Sequence, residues 1–200
     1  MVERNEGLQL FLDASFVAFD QRLRDVRARR SISRIFGLLE EVGERREEEG
    51  SRLPVCGHLL DALSVQTPTE SLRRMLARFQ AIEPQIGWRR REDSSGTASD
   101  DFPEGHANGM IVGPGGIEVR SDVWFGVTLM APRVRYPDHD HAPEETYLVM
   151  SDGEFQHGDS DWFAPGVGGT FFNPPSVRHA MRSLDKPLFA FWALRPERHA

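Results

Sequence analysis

The spacing of hydrophobic residues divides this 200-residue chain into a helical first part and a strand-rich second part. Between residues 6 and about 84, apolar side chains recur every three to four positions, which is typical of amphipathic helices. The first stripe runs through Leu8, Leu12, Phe16, Phe19 and Leu23. We expect these helices to pack their apolar faces against the remaining chain, or against a second subunit, and to contribute no metal ligand.

Two further helix limits are predicted from local signals. Ser31 is a candidate N-cap for a second helix. The charged run at residues 44–49 is expected to be a solvent-exposed face of that helix, which would end at Gly50. Thr67, Pro68 and Glu70 have the order of a capping box with proline at the first helical position, so another helix is expected to begin there.

The second part of the chain has short apolar runs separated by glycine, proline and aspartate, which indicates antiparallel β-structure. Residues 89–108 are polar and aperiodic, and they are expected to form a linker or a mobile loop that could act as a lid. The pattern therefore predicts an α+β protein that is mainly β. Its parts would be a helical N-terminal region (1–88), the linker or lid (89–108) and a small antiparallel β-barrel or jelly roll (109–200).

Composition and charge narrow the functional classes. The formal net charge is −7, which argues against nucleic acid or an anionic membrane as a partner. One cysteine, Cys56, excludes an intrachain disulfide. Neither a signal-peptide pattern nor an apolar run of about 18 residues is evident, so we expect a cytoplasmic protein. Export by a route without such a pattern is left open.

A set of metal-binding residue types lies in the strand-rich part. His139 and His141 are two residues apart, a spacing that directs both imidazoles to one face of a strand, and Glu145 follows after a short Ala-Pro-Glu connection. His179 comes later, after a glycine-rich turn. Three imidazoles and a carboxylate suit Zn, Fe, Mn, Co or Ni, so these four residues are candidate ligands of a divalent transition metal. The alternative is a group of unrelated surface residues.

The ligand spacing resembles that of the cupin superfamily. Its first motif runs from a glycine through His-x-His to a glutamate, as in His139, His141 and Glu145, although Arg133 occupies the position of the first glycine. The final glycine has its counterpart in Gly153, one residue late.

The second cupin motif is also matched in part. Gly168, Pro174 and His179 occupy its positions, while Ser176 and Ser183 replace a glycine and an asparagine. The resemblance implies a single cupin whose metal ligands point inward.

A narrower resemblance is to the bacterial dimethylsulfoniopropionate lyases of the DddQ type. It depends on the helical first half and on the sequence Tyr-Pro-Asp-His-x-His-x-x-x-Glu-x-Tyr, which begins at Tyr136 and ends at Tyr147. The resemblance implies that a small zwitterionic sulfonium substrate is cleaved to dimethyl sulfide and acrylate by β-elimination. It further implies that Tyr147 is the base and Tyr136 a second active-site tyrosine. A plain core aromatic is the alternative for Tyr147.

Aromatic residues and the remaining histidines are the other side chains that this chemistry could use. A sulfonium cation is attracted to aromatic faces, and the candidates on the expected strands are Trp124, Tyr136, Phe172 and Trp192. The remaining histidines lack ligand spacing and are expected to be surface or structural residues: His58, His106, His157 and His199.

Two alternative functions stay open from the sequence. An Fe(II) cupin dioxygenase would use the same ligands, but it would require oxygen and would tolerate phenylalanine at position 147. A non-catalytic cupin that binds a small molecule, such as a sensor, is the second alternative. The sequence leaves open the identity of the metal and the oligomeric state, for which a homodimer is one candidate.

Overall fold

The computed structural model describes residues 3–196, with the longer helices preceding most of the strands. The α-helices are Glu6–Arg22 (α1), Val26–Leu38 (α2), Leu59–Leu63 (α3), Glu70–Ile82 (α4) and Phe102–Gly105 (α5). The strands are Glu44–Arg45 (β1), Trp88–Arg89 (β2), His106–Val112 (β3), Glu118–Val119 (β4), Trp124–Met130 (β5), Arg135–His139 (β6), Glu145–Val149 (β7), Glu154–His157 (β8), Thr170–Asn173 (β9), His179–Arg182 (β10) and Leu188–Leu194 (β11).

The strands form two open sheets. The large sheet has the order β1-β4-β3-β5-β11-β7-β9, with β2 also paired to β3, and the small sheet has the order β6-β10-β8. Apart from the parallel pair β3–β4, the strand pairs named here are antiparallel. The mainly-β region is thus a pair of sheets, and the closed barrel expected from the sequence is not formed by strand pairing in the described residues.

The large sheet separates two hydrophobic cores. Its outer face, with Phe125, Val127 and Leu129, packs with the helical residues in one cluster. The inner face contributes to a second cluster that also includes Tyr136 and Met181 from the small sheet. Since successive residues of a strand point to opposite faces, each central strand supplies both cores.

Helix α1 is fixed to the sheet by aromatic contacts. Asn5 caps the helix, because its side chain accepts a hydrogen bond from the Leu8 amide at 3.1 Å. Phe11 stacks on Phe125 with ring centroids 5.6 Å apart and also meets Phe79 of α4 at 6.1 Å. The helical half therefore covers the face of the sheet directed away from the small sheet.

The second helix differs from its predicted limits at both ends. Asp25 is its N-cap and accepts from the Arg27 amide at 2.7 Å, whereas Ser31 is buried inside the helix. The helix ends at Leu38, and residues 44–45 form β1 beside β4. Within the charged run, Arg46 donates to the Gly115 carbonyl at 2.8 Å and to the Gln85 carbonyl. These contacts bind the run to neighbouring loops, so it does not continue the helix.

The start of α4 also differs. Thr69, and not Thr67, is the N-cap, since its hydroxyl accepts from the Leu72 amide at 3.4 Å. Pro68 lies before the helix and Glu70 is its first residue, so the predicted capping box does not form.

Residues 89–108 are tied to both sheets. At its start, β2 pairs with β3 in the large sheet. Thr97 accepts from the Asp138 amide at 2.8 Å, and Ser99 accepts from the Arg135 amide at 2.9 Å, which fastens the loop along β6. The domain limits expected at 88/89 and 108/109 stay a prediction.

Across residues 3–196, none of the helices combines the length and the apolar character needed to cross a bilayer. The extreme N-terminal residues Met1 and Val2, and the expected structural residue His199, lie outside the described residues.

Leu129 tests the contact between helices and sheet. It is fully buried in the outer core, so Leu129→Ala should lower the free energy of unfolding by about 2–5 kcal/mol through lost burial and a cavity. Urea unfolding followed by circular dichroism measures this loss. Leu60→Ala is the matched control, because Leu60 is 77% exposed and its truncation should change stability by less than about 0.5 kcal/mol. Equal small effects for both variants would contradict the burial of Leu129.

Candidate metal centre

Three of the four candidate ligands converge where the two sheets meet. Glu145 begins β7 of the large sheet, His179 begins β10 of the small sheet, and His141 lies just beyond β6. Their ligand atoms all lie within 4.8 Å of one another. Glu145 Oε2 is 3.4 Å from His141 Nε2 and 3.2 Å from His179 Nε2.

Backbone carbonyls fix the tautomers of these histidines. His141 Nδ1 lies 2.8 Å from the Pro143 carbonyl oxygen, and His179 Nδ1 lies 2.9 Å from the Val177 carbonyl oxygen. A carbonyl only accepts, so each Nδ1 carries the proton and donates it. In the neutral ring, each Nε2 then presents its lone pair to the centre of the cluster, as metal-ligating histidines do.

The buried nitrogens fit a cation. His141 Nε2 and His179 Nε2 are buried and have no hydrogen-bond partner among the described residues. They face a carboxylate that is itself 4% exposed. Lone pairs and a negative charge at this distance repel one another unless a positive charge lies between them. A proton or a metal ion satisfies that requirement, and the N/O donor set is one that divalent transition metals accept.

The ionisation of the cluster follows the same balance. Burial alone opposes the charge on Glu145, but interaction with His141 and His179 outweighs burial and holds the Glu145 pKa below its ordinary value. Burial likewise opposes protonation of His141, yet Glu145 attracts the proton and raises the His141 pKa. Glu145 is therefore an anion at neutral pH, as a metal ligand must be.

His139 lies beside the cluster but outside the group of three. Its ring centroid is 4.0 Å from that of His179 and 6.2 Å from that of His141. Its Nδ1 faces the Pro137 carbonyl oxygen at 2.9 Å, so it has the same tautomer as the others. Burial and the nearby charges of His179 and Arg91 lower the His139 pKa to about 3, which keeps its ring neutral. His139 and His141 were expected on one face of a strand, but β6 ends at His139, so His141 lies outside the strand. Both histidines nevertheless line the same pocket.

Asn173 and His157 hold Glu145 from behind, and the sequence analysis did not find this contact. Asn173 is fully buried and donates through Nδ2 to Glu145 Oε2 at 3.2 Å. Its Oδ1 accepts from His157 Nδ1 at 2.9 Å. Asn173 is paired directly with Glu145 in the β7–β9 register, and that register could not be deduced from one sequence. His157 was expected to be a surface or structural residue and is half-buried here.

Two motif positions keep the backbone of a glycine without the residue. Arg133 and Ser176, which stand where the cupin pattern has glycine, have φ values of 64° and 58°. Such left-handed angles cost a non-glycine residue roughly 1–2 kcal/mol. The turns that aim the histidines are thus retained although their glycines are absent.

Both tyrosines reach the pocket beside the cluster. This pocket has a volume of ≈ 300 Å³, and its lining includes Tyr136, Tyr147, His139, His141 and Glu145. Glu145 and Tyr147 share a face of β7, as their spacing predicts.

The two phenols differ in their surroundings. Tyr147 stacks on Phe171 with ring centroids 4.8 Å apart, and Tyr136 accepts from Asn108 Nδ2 at 2.8 Å. Burial raises the pKa of Tyr147 well above its usual value, and the Glu145 charge adds to the rise. Burial also raises the pKa of Tyr136, against the opposing influence of Arg91 and Asn108.

The aromatic candidates are sorted by the sheet faces. Trp124, Tyr136 and Trp192 line the pocket, whereas Phe172 belongs to the outer core and lies under the Arg27 guanidinium at 5.1 Å. Phe172 was therefore the wrong candidate, because it is on the opposite face of β9 from Phe171.

The remaining candidates lie away from the metal cluster. His106 is a buried structural residue, and His58 and Cys56 are outside the cluster in the helical half. Among the described residues, none between 6 and 84 lines this pocket, but Arg90 and Arg91 do.

Removing any one ligand of the group of three should reduce metal binding. His141→Ala, Glu145→Ala and His179→Ala each delete one direct bond, so metal analysis after dialysis should find most of the bound ion lost. His139→Ala should have a smaller effect, because its ring lies outside that group. His58→Ala, in the helical half, should keep the wild-type content. Full occupancy in the first three variants would rule out these ligands.

Asn173→Ala should weaken metal binding without removing a ligand. Partners that orient a ligand typically contribute about 10–100-fold in metal affinity, and competition with a chromophoric chelator measures that loss. His157→Ala, one hydrogen bond further away, should lose less. Wild-type affinity in Asn173→Ala would show that Glu145 holds its position unaided.

Comparison with known proteins assigns the sequence to a family. The dimethylsulfoniopropionate lyase (DMSP lyase) family profile matches residues 27–190. DMSP lyase DddQ from Ruegeria pomeroyi is 30% identical over 91 residues, which are 45% of this chain and 45% of that protein. The aligned part thus spans less than half the length of this curated relative.

Solved structures agree on the fold. A crystal structure from work on the DMSP lyases RdDddP and RnDddQII has a TM-score of 0.74 at 22% identity, covering 95% of this chain and 92% of the other. DddQ from Ruegeria pomeroyi has a TM-score of 0.73 at 20% identity, covering 98% and 95%. The expected helical region followed by a mainly-β region is confirmed. Because the family profile extends over most of its length, the chain belongs to the dimethylsulfoniopropionate lyase family.

Proposed function

We propose that this protein is a metal-dependent carbon–sulfur lyase that cleaves dimethylsulfoniopropionate to dimethyl sulfide and acrylate. The observation that carries the proposal is the pair of buried, unpartnered imidazole nitrogens facing Glu145 in a pocket that also contains two tyrosines. Membership of the lyase family supports the substrate. A cytoplasmic location and a homodimer stay predictions from the sequence.

The metal would be held by His141, Glu145 and His179, with His139 as a fourth ligand, and Zn, Fe, Mn, Co and Ni all suit the donor set. When bound, the ion would withdraw charge from the substrate carboxylate and favour the phenolate form of a nearby tyrosine. His139 has a neutral ring, which leaves its Nε2 lone pair available for such a bond.

The pocket offers aromatic and apolar surfaces to the sulfonium end of the substrate. Dimethylsulfoniopropionate carries a carboxylate at one end and a sulfonium cation at the other. Trp124 and Trp192 provide aromatic faces, which attract cations. Met110, Met181 and Leu194 complete an apolar wall that would exclude water from the sulfonium methyl groups.

Tyr147 is the proposed base. It lies two residues after Glu145 on the same face of β7, and its ring is held by stacking on Phe171. Its oxygen would take a proton from the carbon next to the carboxylate. The electron pair of that C–H bond then forms the double bond of acrylate, while the carbon–sulfur bond breaks and dimethyl sulfide leaves with the two electrons of that bond.

Oxygen dependence separates this reaction from that of a cupin dioxygenase. We expect metal-loaded protein to release dimethyl sulfide and acrylate in equal amounts, at the same rate in air and without oxygen, since elimination consumes no oxidant. Headspace gas chromatography and proton NMR measure the two products. A requirement for oxygen, or products other than these two, would favour the dioxygenase. Absence of turnover with bound substrate would favour a binding protein.

Tyr147→Phe tests the base. It keeps the ring and its stacking, so stability should change by less than about 1.5 kcal/mol. Metal content should be unchanged, because the proposed ligands remain. The value of kcat should fall by about 100-fold or more, the usual contribution of a positioned base.

Tyr136→Phe is the matched control, because both tyrosines are buried and line the same pocket. As a substrate-positioning residue, Tyr136 should affect KM more than kcat. If Tyr136→Phe abolishes turnover and Tyr147→Phe retains it, the two roles are exchanged. If neither change matters, the base is not a tyrosine.

A further inference from the structure

Four pocket-lining side chains form one continuous hydrogen-bond chain that ends on Tyr136. Trp192 Nε1 donates to Thr128 Oγ1 at 3.0 Å, and Thr128 Oγ1 donates to Asn108 Oδ1 at 2.6 Å. Asn108 Nδ2 then donates to the Tyr136 hydroxyl oxygen at 2.8 Å. All four side chains line the pocket that contains Glu145.

The direction of this chain follows from its first member. An indole N–H only donates, so the Thr128 oxygen must accept from Trp192 and has its own proton left to give. That proton requires an acceptor, which places the Asn108 carbonyl oxygen towards Thr128 and fixes the amide against a flip. The amide nitrogen therefore faces Tyr136, and the phenol oxygen accepts. Its proton must then point away from Asn108.

The strands hold the chain rigidly. Asn108 and Thr128 are a direct cross-strand pair of β3 and β5. Trp192 of β11 lies opposite Gly126, where an added Cβ would come within 2.3 Å of the indole ring. The chain thus begins in the large sheet, where glycine makes room for the indole, and ends on β6 of the small sheet.

We propose that Trp192, Thr128 and Asn108 are positioning residues that keep the Tyr136 hydroxyl as a hydrogen-bond donor to the substrate carboxylate. This rests on the proposed function. The carboxylate is the one strong acceptor in dimethylsulfoniopropionate, since the sulfonium sulfur is positively charged and so a very poor acceptor, and the methylene groups have no lone pair. A hydroxyl whose oxygen already accepts from Asn108 has its proton directed elsewhere, so it can donate that proton to a carboxylate in the pocket.

Asn108→Asp reverses only the last of these hydrogen bonds, with little change in shape. A carboxylate still accepts from Thr128, but it offers no donor to Tyr136, so the phenol should turn and donate to it. Thr128→Val keeps the side-chain volume and removes the hydroxyl that fixes the amide. Both variants should raise KM for dimethylsulfoniopropionate by about 10-fold, the effect of one oriented hydrogen bond to a charged group, with kcat changed less. Thr128→Ser restores the hydroxyl and should restore KM.

Two controls separate orientation from general damage. Thr146→Val makes the same substitution in a buried strand position, but the Thr146 hydroxyl has no partner among the described residues, so KM should stay at the wild-type value. In a Tyr136→Phe background, Asn108→Asp should change KM by less than about 2-fold, because residues that act through one another are not additive. A full 10-fold effect in that background would overturn the proposal.

A second readout is independent of turnover. The chain has two tyrosines, so protein labelled with carbon-13 at the ring carbon bearing the hydroxyl gives two NMR signals, assigned by Tyr136→Phe and Tyr147→Phe. In zinc-loaded protein without substrate, Asn108→Asp and Thr128→Val should shift the Tyr136 signal, and Thr146→Val should not. If the Tyr136 signal does not move in the first two variants, the proposed hydrogen-bond chain does not orient Tyr136. If these signals shift but wild-type protein cleaves no dimethylsulfoniopropionate, the hydrogen bonds exist but the proposed substrate is wrong. The role of Tyr136 in binding the substrate carboxylate would then be overturned as well.

Discussion

A buried carboxylate that faces two imidazole nitrogens is the constraint on which the rest of this structure depends. Glu145 lies in the large sheet and His179 in the small sheet, so their approach requires the two sheets to meet at this point. Burying the three groups without a positive charge would be unfavourable, because lone pairs and a carboxylate repel at short range in a medium of low polarity. Asn173 and the carbonyls of Pro143 and Val177 hold these groups in place.

The helices and the inner face of the large sheet have different roles. The helices bury the outer face of the large sheet through contacts such as Phe11 on Phe125, and this leaves the inner face free for polar groups. On that inner face, aromatic and aliphatic residues enclose the pocket while a few hydrogen-bonding groups are kept inside it. Since the helices add no side chain to the pocket in the described residues, their contribution is to bury the outer face of the sheet that carries it.

Sequence reasoning was most successful where a recognised motif fixes the relative positions of its residues. The spacing of Glu145 and Tyr147 predicted a shared strand face, and the histidine pattern predicted a cluster that includes His141 and His179. It failed where long-range pairing decides. Asn173 reaches Glu145 through the β7–β9 register, and residues 44–45 leave the second helix to pair with β4.

Local signals were also misleading at particular positions. Thr67 was predicted to cap α4, but Thr69, the residue directly before the helix, is the N-cap. Arg133 and Ser176 keep left-handed backbones where glycine was expected, since the surrounding turn determines their φ values. Phe172 was misassigned because its face of β9 depends on which sheet side the helices cover.

The dependence of cleavage on the metal is measured by turnover through a cycle of metal removal and return. Wild-type protein is stripped with a chelator, mixed with dimethylsulfoniopropionate, and then supplied in turn with Zn, Fe, Mn, Co or Ni while dimethyl sulfide is followed in the headspace. The account predicts that cleavage disappears on stripping and returns with at least one of these ions, while Glu145→Ala protein stays inactive throughout. Undiminished cleavage by metal-free protein, or restored cleavage in Glu145→Ala, would contradict it.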